Sequence, residues 1–397
     1  MNSKNAFLFI FITIVIDSTG LGIIIPSLPS LVADIANISI TESAKYYGPI
    51  LGSYAFMQFL FSPIIGALSD RFGRRPILLM SLFGLGVDYI FMYFAPTIAW
   101  LVVGRCLAGM FGASYTTATA YIADISTPET KTKNFGMVGA AFGIGFVIGP
   151  AIGGLLGNFN MRAPFLLAAG LSLTNLIYGS IVLKESLSLE NRRAFSCKRS
   201  NPIGAFFQLK KYKNFAWIFV VLFLLFLGSM AIQSTWNYYT IEKFGWKIRD
   251  VGYSLTAVGV CIAIIQGGLA GKISKKFGDE KTATISMVIT IFTMLAIGFA
   301  THSWMLYAFM LPYAFSGLAH PAISSMMSNK TSENEQGELQ GVMTSVLSIA
   351  EIIGPPLMMA IFYFFSTLST PIYGMPFVFG SFFIFVALVL FMKVIKK

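Results

Sequence analysis

Four ionisable residues, Asp17, Asp88, Arg105 and Glu351, interrupt long apolar runs. An ionisable group in hydrocarbon is costly unless it is paired, protonated or turned toward a water-filled cavity. Burial favours the neutral form of a carboxyl, and a neighbouring guanidinium favours the charged form. Three acids and one arginine in such surroundings therefore suit the binding and release of protons. The competing reading for Asp17 and Asp88 is hydrogen-bonded packing, and for Glu351 a position at the inner aqueous opening. Covalent catalysis has no support: the chain lacks a P-loop, a paired-histidine metal motif, a nucleophile elbow and a soluble catalytic domain, so it reads as a non-enzyme with no cofactor or metal beyond the proton.

The elements that must hold these residues follow from composition. The 397 residues are 56% hydrophobic and 11% charged, with a mean hydropathy of +0.74, which exceeds what a soluble core requires. Crossing about 30 Å of hydrocarbon takes roughly 20 apolar residues per helix. Runs of that length are expected at 7–29, 47–69, 76–95, 98–123, 134–157 and 163–183, then at 215–240, 250–272, 282–301, 303–327, 338–366 and 373–392. The fold class is an all-α membrane protein with twelve transmembrane helices in two six-helix bundles, 1–184 and 214–397, joined by a cytoplasmic linker over 185–213. The first run contains Asp17 and no small-residue cleavage site, so it is a membrane helix and not a signal peptide. At about 1.5 Å per residue, Asp17 lies roughly 15 Å from the inner end of the first helix, Asp88 roughly 18 Å into the third, and Arg105 roughly 10 Å from the outer end of the fourth.

With both termini in the cytoplasm, the great majority of the 28 basic residues fall on inner segments. Outer segments keep only Lys45, Arg162, Lys243, Lys247 and Arg249, so the positive-inside rule sets the orientation. The net charge of +11 is thereby explained without nucleic acid, and the basic linker suits anionic lipid headgroups. Cys106, Cys197 and Cys261 have no metal-ligand spacing and read as packing residues.

A shift of 205 positions carries Gly66 onto Gly271, Phe72 onto Phe277, Gly73 onto Gly278, Gly112 onto Gly317, Gly136 onto Gly341, and Gly149-Pro150 onto Gly354-Pro355. Parallel six-helix repeats imply a site near mid-membrane at their interface. Polar and aromatic residues within the helices, Gln58, Asn175, Gln233, Trp236, Asn237, Tyr238 and Gln266, are candidate contacts for an amphipathic ligand. An aromatic belt at the membrane interface accounts equally well for Trp236 and Tyr238. His320, beside Pro321, reads as structural. In the fifth run, Gly145, Gly149, Pro150, Gly153 and Gly154 leave one helix face nearly bare, which permits close packing and a kink, as rocking of the two halves would need. No strand precedes these glycines, so they are not a dinucleotide fingerprint.

The loop GALSDRFGRRP, Gly66 to Pro76, and its degenerate copy GKISKKFGDEK, Gly271 to Lys281, resemble the signature of the major facilitator superfamily. Further motifs are similar to its drug/proton antiporter branch: DSTGLGIIIPSLP from Asp17, RCLAGMFGA from Arg105 and GIGFVIGPAIGG from Gly143. AYIADI at Ala120 to Ile125, FGW at Phe244 to Trp246 and QGELQG at Gln336 to Gly341 look most like the tetracycline/proton antiporters. The chain departs from those antiporters around Ile262 and Ile289, where they carry a histidine and an aspartate. The resemblance implies a proton-coupled exporter of a small amphipathic, drug-like molecule working by alternating access, with an endogenous metabolite or siderophore as the alternative cargo. It further implies a monomer in the bacterial inner membrane, whose partners are a small-molecule substrate and membrane lipid. By the same resemblance the first and fourth helices line the cavity, so Asp17 is expected to pair with Arg105, with Asp88 a second titrating group. Gly66, Asp70, Arg71, Gly73, Arg74 and Arg75 would form a conformational latch, with Asp70 facing a helix N-terminus of the other half. The competing reading is that these arginines serve topology alone.

Overall fold

The computed structural model describes residues 3–112, 114–195, 201–202, 204, 215–331 and 336–395. Most of the linker, Cys197 included, lies outside them. All regular elements among the described residues are helices. The first half comprises α1 (Ser3–Ile24), α2 (Leu28–Ala36), α3 (Ile40–Phe72), α4 (Arg74–Tyr93), α5 (Ile98–Phe111), α6 (Ser114–Ile125), α7 (Pro128–Phe159) and α8 (Ala163–Val182). The second comprises α9 (Ala216–Phe244), α10 (Ile248–Ile262), a π-helical stretch Ala263–Leu269, α11 (Ala270–Phe277), α12 (Asp279–Gly298), α13 (Ser303–Ala314), a 3-10 turn Phe315–Leu318, α14 (Ala319–Asn329), α15 (Gln336–Ser366) and α16 (Met375–Ile395). Eleven helical stretches are long and apolar enough to cross a membrane. The remaining expected crossing, 303–327, is present as α13 and α14 but divided by its 3-10 turn, which completes the twelve. The chain is thus a multi-pass membrane protein.

Local chemistry explains where the boundaries depart from the hydropathy reading. The first helix ends at Ile24 instead of continuing to 29, because Pro26 and Pro29 cannot continue its hydrogen-bond ladder; α2 restarts with a proline in its first turn. Helix α3 begins at Ile40, seven residues before the second apolar run. Ser39 and Glu42 form a reciprocal capping box there, Ser39 Oγ accepting from Glu42 N at 3.1 Å and Glu42 Oε2 from Ser39 N at 3.3 Å, which satisfies orphan donors that hydropathy does not register. Helix α5 is capped by Thr97, whose hydroxyl accepts from Trp100 N at 3.3 Å.

The repeat is visible in the backbone. Gly73 and Gly278 take the same left-handed conformation, φ 104° and 78°, just before α4 and α12, a geometry that favours glycine. The paired glycines Gly112 and Gly317 both fall at helix interruptions, one after α5 and one in the 3-10 turn.

The chain forms two compact units. The first is Met1–Ile38, Ser53–Pro202 and Lys247–Thr256; the second is Ser39–Gly52, Ile203–Trp246 and Ala257–Lys397. In the first unit α1 packs along α7 and α8, and α4 along α8. In the second, α9 is the central element, packed on α15 and α16, with α12 on α16.

The α1–α7 contact shows what the bare face of the fifth run does. A Cβ at Gly149 would come within 2.7 Å of Thr19 O, and one at Gly153 would overlap the carbonyl of Ile23. These glycines and Gly145, which lies against Val15 and Ser18, seat α7 directly on the α1 backbone. The Pro150 ring lies against Gly22 of α1, while the Pro150 carbonyl and Gly154 face Gly252 of α10. Most of this face thus forms a close backbone-to-backbone seam within one unit.

Candidate functional site

The first unit holds a cavity of about 340 Å³ walled by α1, α3, α4 and α7. Asp17, Tyr54, Gln58, Tyr89 and Phe142 contribute to its lining, which is largely apolar. Asp17 and Gln58, singled out from sequence as a proton carrier and a ligand contact, therefore meet in one cavity. Tyr54 sits one helical turn before Gln58 and so shares its face. The Tyr89 hydroxyl lies over Gly20, where a Cβ would come within 2.7 Å of it. Gly112, at the break after α5, completes the wall.

Behind this wall lies a buried ion pair. Arg105 Nη2 donates to Asp88 Oδ2 at 2.6 Å, with the two side chains 4% and 0% exposed. Arg105 thus pairs with Asp88, and Asp17, expected from sequence to be its partner, lines the neighbouring cavity. Helix packing is the reason: α4 and α5 are antiparallel neighbours joined by a short turn, which brings their mid-membrane residues together. Gly104 makes room, since a Cβ there would come within 3.0 Å of Asp88 Oδ1. The guanidinium also stands 6.0 Å from the ring centroid of Tyr54, so the cation links the buried carboxylate to the cavity wall. Asp88 Oδ1 and Arg105 Nε are buried without a hydrogen-bond partner. The pair is therefore incompletely satisfied, a condition in which one added proton or a displaced guanidinium changes its balance substantially.

The loop between α3 and α4 is the second polar cluster. Arg74 Nη1 donates to Asp70 Oδ1 at 2.7 Å and to Ser69 Oγ at 2.6 Å, and Arg74 Nε to Asp124 Oδ2 at 3.2 Å. Within this unit Asp70 pairs with Arg74, one turn along. The N-terminus of α4 is capped by Glu185, whose carboxylate accepts from the backbone N–H of Arg74 at 2.8 Å and of Arg75 at 3.2 Å. Arg193 N donates to Asp70 O at 3.0 Å, and Ser186 Oγ to Asp124 Oδ2 at 2.9 Å. Residues 185–193, the start of the expected linker, are bound against this loop. Gly66 lies in open space, Arg71 stacks on its neighbour Phe72 at 5.0 Å, and Arg75 Nη2 donates to Ser180 O at 2.7 Å.

The other expected contacts are scattered. Asn175 is buried away from the cavity lining, with Thr13 Oγ1 at 3.5 Å from its Oδ1. In the second unit Trp236, Asn237 and Tyr238 are buried. Tyr238 packs edge-on to Tyr47 and Phe362 at 5.1 and 5.6 Å, and its hydroxyl shares a hydrogen bond with Ser43 at 3.0 Å. This is an interior aromatic cluster and not a membrane-interface belt. Gln233 is exposed on α9, and the Gln266 amide rests against Gly317. Glu351 is partly buried in α15 and makes no hydrogen bond or ion pair with the described residues. Tyr54, Tyr89, Phe142 and Glu185 were not anticipated from sequence. Only the helical register from Gln58 and the adjacency to Asp88 could have pointed to the two tyrosines.

A multi-pass helical fold with an internal repeat and a largely apolar cavity holding a carboxylate suits a secondary transporter, and the chain belongs to the Major Facilitator Superfamily, whose family model matches residues 10–355 and 267–397. It is 37% identical to the tetracycline resistance protein, class C, of Escherichia coli, over 91% of both chains. It is 34% identical to the class H tetracycline resistance protein of Pasteurella multocida, over 92% of this chain and 90% of that one. Identity to multidrug resistance protein 2 of Bacillus subtilis (strain 168) is 30%, over 89% and 88%. Among solved structures, the nucleoside transporter NupG superposes with a TM-score of 0.80 at 13% identity over the full length of both. The human organic anion transporter MFSD10 (TETRAN) gives 0.74 at 21% identity, over 98% and 100%.

Proposed function

We propose that this protein is a proton-coupled antiporter that exports a small amphipathic molecule of tetracycline-like size and polarity from the bacterial cytoplasm. It resides in the inner membrane with both termini cytoplasmic, and works as a monomer surrounded by lipid. The observation that carries this reading is the buried Asp88–Arg105 pair set directly behind a cavity that holds Asp17. In this scheme Asp17 binds the proton from the cavity, and the guanidinium, bonded to Asp88 and stacked near Tyr54, senses the change of charge. A neutral Asp17 leaves Arg105 to Asp88 alone; an ionised Asp17 competes for it. Cargo held between Tyr54, Gln58 and Phe142 would reside best when that carboxylate is charged, so proton and cargo exclude each other. The relatedness to tetracycline resistance proteins and the apolar wall with few polar anchors support the cargo class.

Reconstitution into proteoliposomes with tetracycline as the probe tests the proposal. An imposed pH gradient is expected to drive uptake into inverted vesicles, and Asp17→Asn to abolish the drive while leaving downhill exchange. Flux in the variant with its full pH dependence would refute the assignment.

A further inference from the structure

Adjacent residues of α4 serve two different places. Asp88 turns to α5, where it holds Arg105, whereas Tyr89, like Leu85 one turn before it, lines the cavity that also holds Asp17, Tyr54 and Gln58. The Tyr89 side chain is buried and reaches to α1, where a Cβ at Gly20 would stand 2.7 Å from its hydroxyl and 3.3 and 3.4 Å from its nearest ring carbons. Glycine at position 20 is what admits the ring tip. Gly20 follows Asp17 by three residues, and residues at that spacing share a helix face with Cβ atoms about 5–6 Å apart. The phenol therefore arrives on the Asp17 face of α1.

The charged groups within electrostatic reach of Tyr89 are Arg105, Asp88 and Asp17, together with the Tyr54 phenol. The other helices of the unit add none at this depth: α8 has no charged residue, α7 has none from Met137 to Phe159, α3 has them only near its ends, and α6 carries only Asp124, which Arg74 engages at the inner end. Two of those neighbours are under-bonded. Asp88 Oδ1 needs a donor and Arg105 Nε an acceptor, and both are buried without a hydrogen-bond partner among the described residues. A tyrosine hydroxyl offers a donor and an acceptor at one rotatable atom, and when buried it needs partners of its own.

An O–H set between a cavity carboxylate and an incompletely satisfied ion pair can answer to either. We propose that Tyr89 is the positioning residue that joins the two: its hydroxyl donates to Asp17 while that carboxylate is ionised, and turns to the Asp88–Arg105 pair when Asp17 takes up a proton. No proton leaves the phenol; only its hydrogen bond is exchanged. With Asp17 neutral, the released O–H serves Asp88 Oδ1 and the phenol oxygen accepts from Arg105 Nε. The inference rests on Asp17 as the proton acceptor of the scheme above, and adds the residue through which the ion pair responds to it.

Tyr89→Phe removes the hydroxyl and keeps the ring. The protonated-carboxyl infrared band of Asp17, assigned by its loss in Asp17→Asn, is titrated in the purified protein in detergent. A hydrogen bond to the charged form keeps a carboxyl deprotonated, so Tyr89→Phe is expected to raise the proton affinity of Asp17 roughly tenfold, the lower end of what a hydrogen bond to a charged group contributes. Arg105→Lys, which keeps the charge but lacks Nε, should shift the same midpoint in the parent and far less in the Tyr89→Phe background. A ring that only fills space would alter melting without either effect. An Asp17 midpoint that stays in place in Tyr89→Phe, or an Arg105→Lys shift that is absent from the parent or survives whole without the hydroxyl, would overturn the proposal. Should Arg105→Lys not fold, the 13Cζ signal of Tyr89 in tyrosine-labelled protein, assigned by its loss in Tyr89→Phe, is followed against pH. It is expected to move with the Asp17 midpoint and to stand still in Asp17→Asn; a signal fixed in the parent overturns the proposal equally. These titrations read equilibrium proton binding, so if vesicle transport proves independent of Asp17 while they behave as expected, the link stands and the transport reading alone fails.

Discussion

A buried guanidinium bonded to a single carboxylate oxygen makes Arg105 and Asp88 unequal to their usual surface counterparts. Removing one partner leaves the other as an uncompensated buried charge, a penalty of about 3–5 kcal/mol. Arg105→Ala is therefore expected to lower the thermal midpoint of the purified protein sharply, and Arg105→Ala with Asp88→Asn to recover much of the loss; equal midpoints for the single and double variants would show that the charges are not coupled. At this scale the sequence was informative about residue type and silent about pairing. A charge in an apolar run announces itself, so Asp17, Asp88, Arg105 and Glu351 were all found. Which acid meets the arginine depends on the azimuth and neighbours of each helix, and the short turn between α4 and α5 decided for Asp88. Tyr54 and Tyr89 escaped notice for the opposite reason, since a tyrosine in a membrane helix carries no mark separating cavity wall from packing.

Among the elements, α7 and α4 show how glycine and an acid can fix a helix in place. Gly153→Ala would drive a methyl into the Ile23 carbonyl, and overpacking of that kind costs about 1–3 kcal/mol. Gly143→Ala meets open space and should be neutral, so comparing the melting of the two variants separates seam from surface. At α4, Glu185→Ala removes the acceptor for two orphan N–H groups and should cost about 1 kcal/mol, in the range of lost helix caps. The expected signature is faster proteolysis within residues 185–195, with the hydrophobic helices untouched. Hydropathy located all the apolar runs but not these fixings. The capping box at Ser39, the proline break after Ile24 and the 3-10 turn in the tenth crossing all act through hydrogen bonds of a few residues, which an average over twenty cannot resolve.

Over the whole molecule, the distribution of basic residues and the repeat of 205 positions were legible because both accumulate over many helices. The topology they imply is open to test: in a variant lacking its native cysteines, a cysteine placed at Lys45 should react with a membrane-impermeant maleimide added to whole cells, and one at Lys281 should not. The reverse pattern would invert the orientation. The clamp at Glu185 bears on how the gene can be divided. A first-half polypeptide ending at residue 184 would lack both the carboxylate seated on α4 and the segment that tethers Asp70, whereas one extending through Arg193 carries the whole clasp. Co-expressed fragments split after 195 should therefore reassemble into an active pair far better than fragments split after 184.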